Sequence, residues 1–562
     1  MSARRAHWIA TLGLCLSAAA CASGGGAHSD AAYDYANFLV GRMADLRDDH
    51  HAASERLFET LQRAPRDEAL YEDAMEASLA AGDFDRAGQI ARMASARRVH
   101  VAYADLYLGV EDLRAGRWDG ARTRLNAVRG GGAEQLLARA LVGWADAGDG
   151  DAAAQAEALG RLNISRPYSA VFEYQRAMLL EMAGDLDAAR AAYEEAGRQG
   201  LWLPPALERH AGLLERAGAR DAALEILDPN GLAGANPAMA AARARVLADG
   251  AAAPEPLSAT RGAAISLYGL GTIFLREHDY ADGMATLSLA RALDPDFDAV
   301  KVSFAQAEID LGHVEAARAV LASVRPDSPY ASTAGTMQAW VLLDQGDEAG
   351  ALSLAREAAR GGDRRAERAL ADLYRATAHY REAEPIYTRL IETPEGAQPD
   401  WRLYFARGAV RERLGRLAQS EEDMREALRL SPDQPDVLNY LGYTLVDRTS
   451  RVEEGMDLIR RAVTLRPMSG AIIDSLGWAY FKQGDYQNAL ELLERAIELE
   501  PADPTLNDHL GDVYWRLGRR IEARYQWRRA LTLDPPEADR QALESKLERG
   551  LTAAALVRPP TP

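Results

Sequence analysis

The chain has 562 residues, 48% of them hydrophobic, with 65 basic against 84 acidic residues and a formal net charge of −19. Nucleic acid and anionic lipid surfaces need basic patches, so this balance argues against both as partners; it weakly favours neutral or basic ones and keeps an extended chain soluble. Both cysteines, Cys15 and Cys21, lie at the start, so the rest of the chain holds neither a disulfide nor a thiolate metal site.

Residues 1–20 read as a signal peptide and stand outside the fold. Arg4 and Arg5 supply the basic start, and Trp8 to Leu16 form an apolar stretch too short for a stable bilayer anchor. The run Ala18-Ala19-Ala20-Cys21 resembles a bacterial lipoprotein cleavage site, with Ala18 where that family usually has Leu. The resemblance implies lipidation of Cys21 and, with Ala22 rather than Asp after it, sorting to the periplasmic face of the outer membrane. Ordinary signal-peptide cleavage, leaving a soluble periplasmic protein, is the alternative. Residues 21–30 then form a Gly/Ser-rich tether.

Residues 31–227 carry degenerate helical hairpins. Their turns are marked by Gly82-Asp83, Gly116-Arg117, Gly148-Asp149 and Gly184-Asp185, where glycine accepts the left-handed backbone that ends a helix. Weaker copies fit near Asp48 and Gly218. The stretch 228–262, with Asp228-Pro229-Asn230-Gly231 and Pro254-Glu255-Pro256, reads as an irregular break between two arrays. A second array is expected over 263–536. Its turns lie at Gly312, Gly346, Gly415, Gly484 and Gly518, with weaker copies near His278, Ala378 and Ser450; Gly250 fits another such turn inside the break. Residues 537–562 are expected to form a cap helix, with Leu543, Leu547 and Leu551 at helical spacing, and a disordered tail.

The last repeats fix the period. Pro432, Pro467, Pro501 and Pro535 are 34 or 35 residues apart, and Leu441-Gly442, Leu476-Gly477 and Leu510-Gly511 recur upstream of the last three. This is the tetratricopeptide signature of two helices per repeat, so the expected fold is an all-α helix-hairpin solenoid of roughly 14 or 15 hairpins. In such arrays one face of each first helix lines the concave surface. Here that face carries Asp474, Trp478 and Phe481, then Asp508, Asp512 and Trp515, and before them Asn439 and Tyr443. Aromatics beside hydrogen-bonding groups suit a protein-binding groove. Coverage of Trp478 and Trp515 by the cap helix, or by neighbouring first helices, is the competing reading.

No catalytic constellation, phosphate loop or dinucleotide fingerprint appears, and no metal ligand set or cofactor is expected. His50-His51 lacks metalloprotease spacing and reads as a solvated turn.

The runs 438–448, 474–499 and 509–531 resemble the C-terminal part of proteobacterial tetratricopeptide lipoproteins of the LbcA type, with NlpI in a similar role. That resemblance covers roughly residues 430–540. It implies a non-catalytic, lipid-anchored adaptor that recruits a periplasmic carboxyl-terminal processing protease and its peptidoglycan hydrolase substrates. An assembly or pilot factor for a secretin, pilus or exopolysaccharide-export machine would share the same fold.

Overall fold

The computed structural model describes residues 27–161, 164–228, 236–248, 256–393, 399–449 and 451–551, with side chains from residue 35 onward. Cys21, most of its tether and the tail beyond Leu551 lie outside the described residues. The described chain is all-α, without a strand, and its first helix is Ala27–Asp45, so helix begins within the expected tether. None of its helices is long and apolar enough to cross a membrane.

The hairpins are made by one repeated turn. Gly82, Gly184, Gly346 and Gly484 all have positive φ, and the amide of the next residue bonds back to a carbonyl five residues earlier, as in Asp83 to Ser78 and Asp485 to Tyr480. The following aspartate then caps the second helix: Asp83, Asp185, Asp347 and Asp485 each accept from a backbone amide three residues on. One dipeptide thus stops one helix and starts the next. The weaker copies fold the same way, with φ of 60° at Asp48, 61° at His278 and 59° at Ala378, and Gly218 also positive. Gly250 and Ser450 lie outside the described residues. Gly148 departs from expectation. The chain there makes a π-helical turn, Ala147–Asp151, with the positive φ displaced to Gly150. Gly148 instead gives room to Trp118, whose ring would stand 2.7 Å from an added Cβ.

The chain forms two compact units, divided between Val341 and Leu342 inside the helix Ala331–Asp344, not at 228–262. That stretch itself contains the helix Pro237–Leu247 and the start of Ala259–Arg276, and both helices belong to the first unit.

The first unit explains why. The hairpin Ala259–Arg276 and Tyr280–Leu293 does not open a new array. It packs back onto the earlier first helices Glu68–Ala80, Ala102–Arg114, Gly132–Asp146 and Tyr168–Ala183. Buried Trp144 donates its indole N–H to Ser266 Oγ at 3.0 Å, Tyr103 donates to Asp282 at 2.5 Å, and Tyr168 to Glu277 at 2.9 Å. Gly262 lies so close to Trp144 that an added Cβ would fall 2.1 Å from the ring. Both inserted helices are apolar on nearly every side, and such a helix is stable only when surrounded.

In the second unit the repeats are regular. Gly408, Gly442, Gly477 and Gly511 let each first helix touch its second helix; a Cβ on Gly511 would lie 2.5 Å from Trp527. Prolines end the second helices, and an arginine one repeat later ties each end down. Arg461 donates to the Pro432 carbonyl, Arg495 to Pro467 and Arg529 to Pro501, at 3.1, 2.8 and 3.2 Å.

Gly262→Val should destabilise the first unit by about 1–3 kcal/mol, because fully buried, hydrogen-bonded Trp144 cannot yield. Gly132→Ala, with nothing within 4 Å of the new Cβ, should change stability by less than about 0.5 kcal/mol. Urea denaturation of both variants checks the pair; equal effects would remove the insertion argument.

Candidate interaction surface

Successive first helices of the second unit, Trp401–Arg413, Pro435–Arg448, Gly470–Gln483 and Pro504–Arg516, each present one face away from their second helix. Asn439, Tyr443, Asp474, Trp478, Phe481, Asp508, Asp512 and Trp515 all stand on these helices, but Asp512 and Trp515 also meet their own second helix, whose Trp527 donates to Asp512 at 3.0 Å and lies 5.3 Å from the Trp515 ring. The structure divides them into two groups by burial. Asp474, Trp478, Phe481 and Asp512 are buried, with Trp478 only 9% exposed, while Asn439, Tyr443, Asp508 and Trp515 are half-buried.

Neighbouring helices cover the buried group. The Trp478 ring stacks on His509 of the next first helix at 4.1 Å between centroids and on Phe481 at 4.8 Å. His509 Nδ1 lies 2.9 Å from both oxygens of Asp474. The Trp478 indole N–H points at Asp447 of the preceding first helix at 3.4 Å, and Lys482 also reaches Asp447 at 3.0 Å. Burial works against the Asp447 charge, yet Lys482, the Trp478 N–H and Arg448 together hold its pKa below the ordinary carboxylate range.

The cap helix Glu537–Arg549 closes the end. Lys546 donates to Asp508 at 2.6 Å and to Asp512 at 2.8 Å, and the Trp527 indole donates to Asp512 at 3.0 Å. Gly550, just past the cap helix, sits against Trp515, where a Cβ would come within 1.9 Å of the ring. Arg520 also lies over that ring at 3.7 Å. Trp478, Asp474, Phe481 and Asp512 therefore serve packing between helices, and Trp515 is partly roofed by the chain's own end. An aromatic and acidic face read as a contact surface is spent, in its last two repeats, on closing the array.

What stays accessible lies earlier. The positions equivalent to Asp474, Trp478 and Phe481 are Phe405, Ala409 and Glu412 in one repeat and Asn439, Tyr443 and Val446 in the next. Phe405 and Tyr443 are half-buried, and Phe405 meets Tyr440 edge-on at 5.8 Å and Trp401 at 6.5 Å. Glu412 receives the Tyr440 hydroxyl at 3.3 Å and faces Arg448 at 3.5 Å. Before them, Arg368 of the helix Arg364–Ala376 pairs with Asp400 at 3.0 Å. The result is an aromatic strip bordered by both charge signs. Sequence reasoning missed Phe405 because the Leu-Gly marker reads Arg407-Gly408 in that repeat; alignment on the Gly415 turn recovers it.

Two further surfaces bear on the site. In the first unit, the face equivalent to this one is covered by the inserted hairpin: Tyr103 and Val171 hold the register position of Ala471 and contact it or flank Gly269. At its other end, Tyr35, Val40, Met43 and Leu46 are exposed. His50 is not in a solvated turn. It begins the helix His50–Arg63 and is buried.

Tetratricopeptide repeat models match residues 274–340, 368–435 and 410–469, and a TPR repeat model matches 477–518. These segments are tetratricopeptide repeats, a module that acts as a protein-interaction scaffold. A TPR repeat-containing protein, PA4667, from Pseudomonas aeruginosa is 40% identical over 106 residues, which is 19% of this chain and 17% of that protein's length. Among solved structures, a tetratricopeptide repeat protein from Parabacteroides merdae is 17% identical with a TM-score of 0.38, covering 44% of this chain and 96% of its own. The Cut9–Hcn1 hetero-tetramer of the APC/C gives 16% identity and a TM-score of 0.39, covering 92% and 96%.

The junction of the last two first helices carries a pH signature. Burial opposes a charged His509, but Asp474, with Asp508 and Asp512 beyond it, outweighs burial and raises its pKa above the ordinary 6.5. A raised folded pKa means stability that is complete below 6.5 and lost as pH rises through the folded value. Burial likewise raises Asp512 against the pull of Lys546, which acts in the same direction at lower pH. Urea midpoints of the second unit should therefore fall as pH rises from 6 to 8. His509→Gln should flatten that slope; an unchanged slope would remove His509 as its cause.

Proposed function

We propose that this protein is a non-catalytic adaptor, lipid-anchored through Cys21 at the periplasmic face of the outer membrane. It holds a carboxyl-terminal processing protease and brings peptidoglycan hydrolases to it. The observation that carries the scaffold reading is the half-buried aromatic strip of Phe405 and Tyr443, which neither the cap helix nor the inserted hairpin covers. Half-buried aromatics bordered by arginine and glutamate are the side chains that dominate protein interfaces. The protease assignment rests on the resemblance of residues 430–540 to lipoprotein adaptors. Two proteins held on one scaffold gain effective concentration without any new contact between them. The exposed apolar end at Tyr35, Val40, Met43 and Leu46 follows directly on the segment that would carry the lipid.

Crosslinked pull-down of the tagged, full-length protein from cell envelopes should enrich a serine protease of the carboxyl-terminal processing type together with cell-wall hydrolases. Phe405→Ala with Tyr443→Ala should lower that enrichment at least tenfold at unchanged helical circular dichroism, and Cys21→Ser should move the protein to the soluble periplasmic fraction. Recovery of secretin, pilus or polymer-export components without a protease would transfer the assignment to an assembly factor.

A further inference from the structure

Far from the strip, three side chains converge in the first unit. Glu308, on the helix Asp298–Asp310, is fully buried, with 0% side-chain exposure. Its two oxygens meet two imidazoles: Oε1 lies 3.0 Å from His51 Nε2, and Oε2 lies 2.9 Å from His313 Nδ1. His51 is the second residue of the helix His50–Arg63, and His313 stands at the start of Val314–Leu321. The ligand atoms of all three lie within 4.8 Å of one another. The pairing of His51 with Glu308 spans 257 positions of sequence, so no local motif could have shown it.

From this geometry we infer a binding site for a first-row divalent cation, zinc above all, formed by His51, Glu308 and His313. Two imidazoles and one carboxylate are a common zinc donor set, completed by a water in the fourth position. The cation sits between the nitrogens and the carboxylate and replaces any protons they share, which are released to solvent. Metal–ligand bonds of about 2.0–2.1 Å at a tetrahedral angle put the ligand atoms about 3.3–3.4 Å apart, so the two ring nitrogens, now 2.9 and 3.0 Å from the carboxylate, move slightly away from it on binding.

Three features distinguish this cluster from a carboxylate merely satisfied by two ring N–H groups. First, the other nitrogen of His313, Nε2, has the Asp49 carboxylate 3.8 Å behind it, beyond hydrogen-bond distance but near enough to draw in when the ring is metal-bound. A carboxylate behind a ligating histidine fixes its tautomer and raises its basicity, and metal-bound histidines usually have one. Asp49 is itself held by the Ala52 amide at 3.1 Å. Second, exposure is graded. Glu308 is sealed, His313 is 18% exposed and His51 39%, which leaves an entry path and room for the water. Third, His50 next door is buried with neither ring nitrogen bonded, so a spare imidazole stands beside the cluster. A cation here joins the N-terminal hairpin to the helices that follow the inserted hairpin and locks the first unit shut.

The test uses metal-free, full-length protein titrated with zinc chloride by calorimetry, and with cobalt chloride by visible absorption. The wild type should take up one equivalent at micromolar affinity or tighter, with a higher melting temperature and the absorption of a low-coordinate cobalt site. His51→Ala with His313→Ala should weaken uptake at least 100-fold, and Glu308→Gln at least tenfold. Should the double variant lose its helical signal before metal is added, half-exposed His51→Ala alone decides. No uptake by the wild type, or equal affinity in whichever His51 variant decides, would overturn the site.

Discussion

A hairpin of two short helices cannot cover its own apolar surface, and every larger feature of this protein follows from how that surface is covered. Stacking hairpins in sequence buries the seams between them but leaves an inner face on the first helices and one exposed end at each terminus. The two units resolve this differently. In the first, the chain returns and lays a nearly all-apolar hairpin, Ala259–Leu293, across the inner face of its own earlier helices. In the second, only the last two repeats are covered, by flat ring stacking between neighbours and by the cap helix Glu537–Arg549.

Both closures bury polar groups, and this gives them their register. Hydrophobic packing alone would tolerate sliding of one helix along another. The Trp144 indole on Ser266, His509 on Asp474, and Lys546 between Asp508 and Asp512 each satisfy a buried donor or acceptor in one alignment only. Breaking one partner of such a pair leaves an uncompensated buried group, which costs more than the intact pair contributes. The cap is therefore an aligned plug, fixed by Lys546 between Asp508 and Asp512. The cluster at Glu308 likewise joins distant parts of the first unit, with two imidazoles brought to one fully buried carboxylate.

What remains for partners is set by subtraction. The inner face of the first unit is occupied, and the C-terminal end of the second is roofed. The strip around Phe405 and Tyr443 keeps aromatic area partly in water between arginine and glutamate side chains. Rings bordered by both charge signs are the composition of protein interfaces, and the proposed adaptor role draws on it.

Much of this was legible in the residues. The Gly-Asp turns, the 34-residue spacing and the prolines are local signals, each tied to one backbone conformation, and they located hairpin turns even where Asp48, His278 or Ala378 replaces glycine. The cap helix was legible too, from Leu543 and Leu547. The roles of Trp478, Asp474 and Asp512 were not, because a residue on the inner face of a repeat looks the same whether it meets solvent, a partner or the next helix. The apolar composition of Ala259–Leu293 could have marked it as surrounded, but period alone made it one more hairpin. The sequence by itself determined the helices, their turns and their stacking, since these depend on contacts within one or two repeats. Only the tertiary structure decided which inner faces are filled and which stay open, and it alone brought His51 to Glu308 and His313. Those contacts join residues far apart in the chain, whose pairing follows from the path of the whole unit rather than from any local pattern.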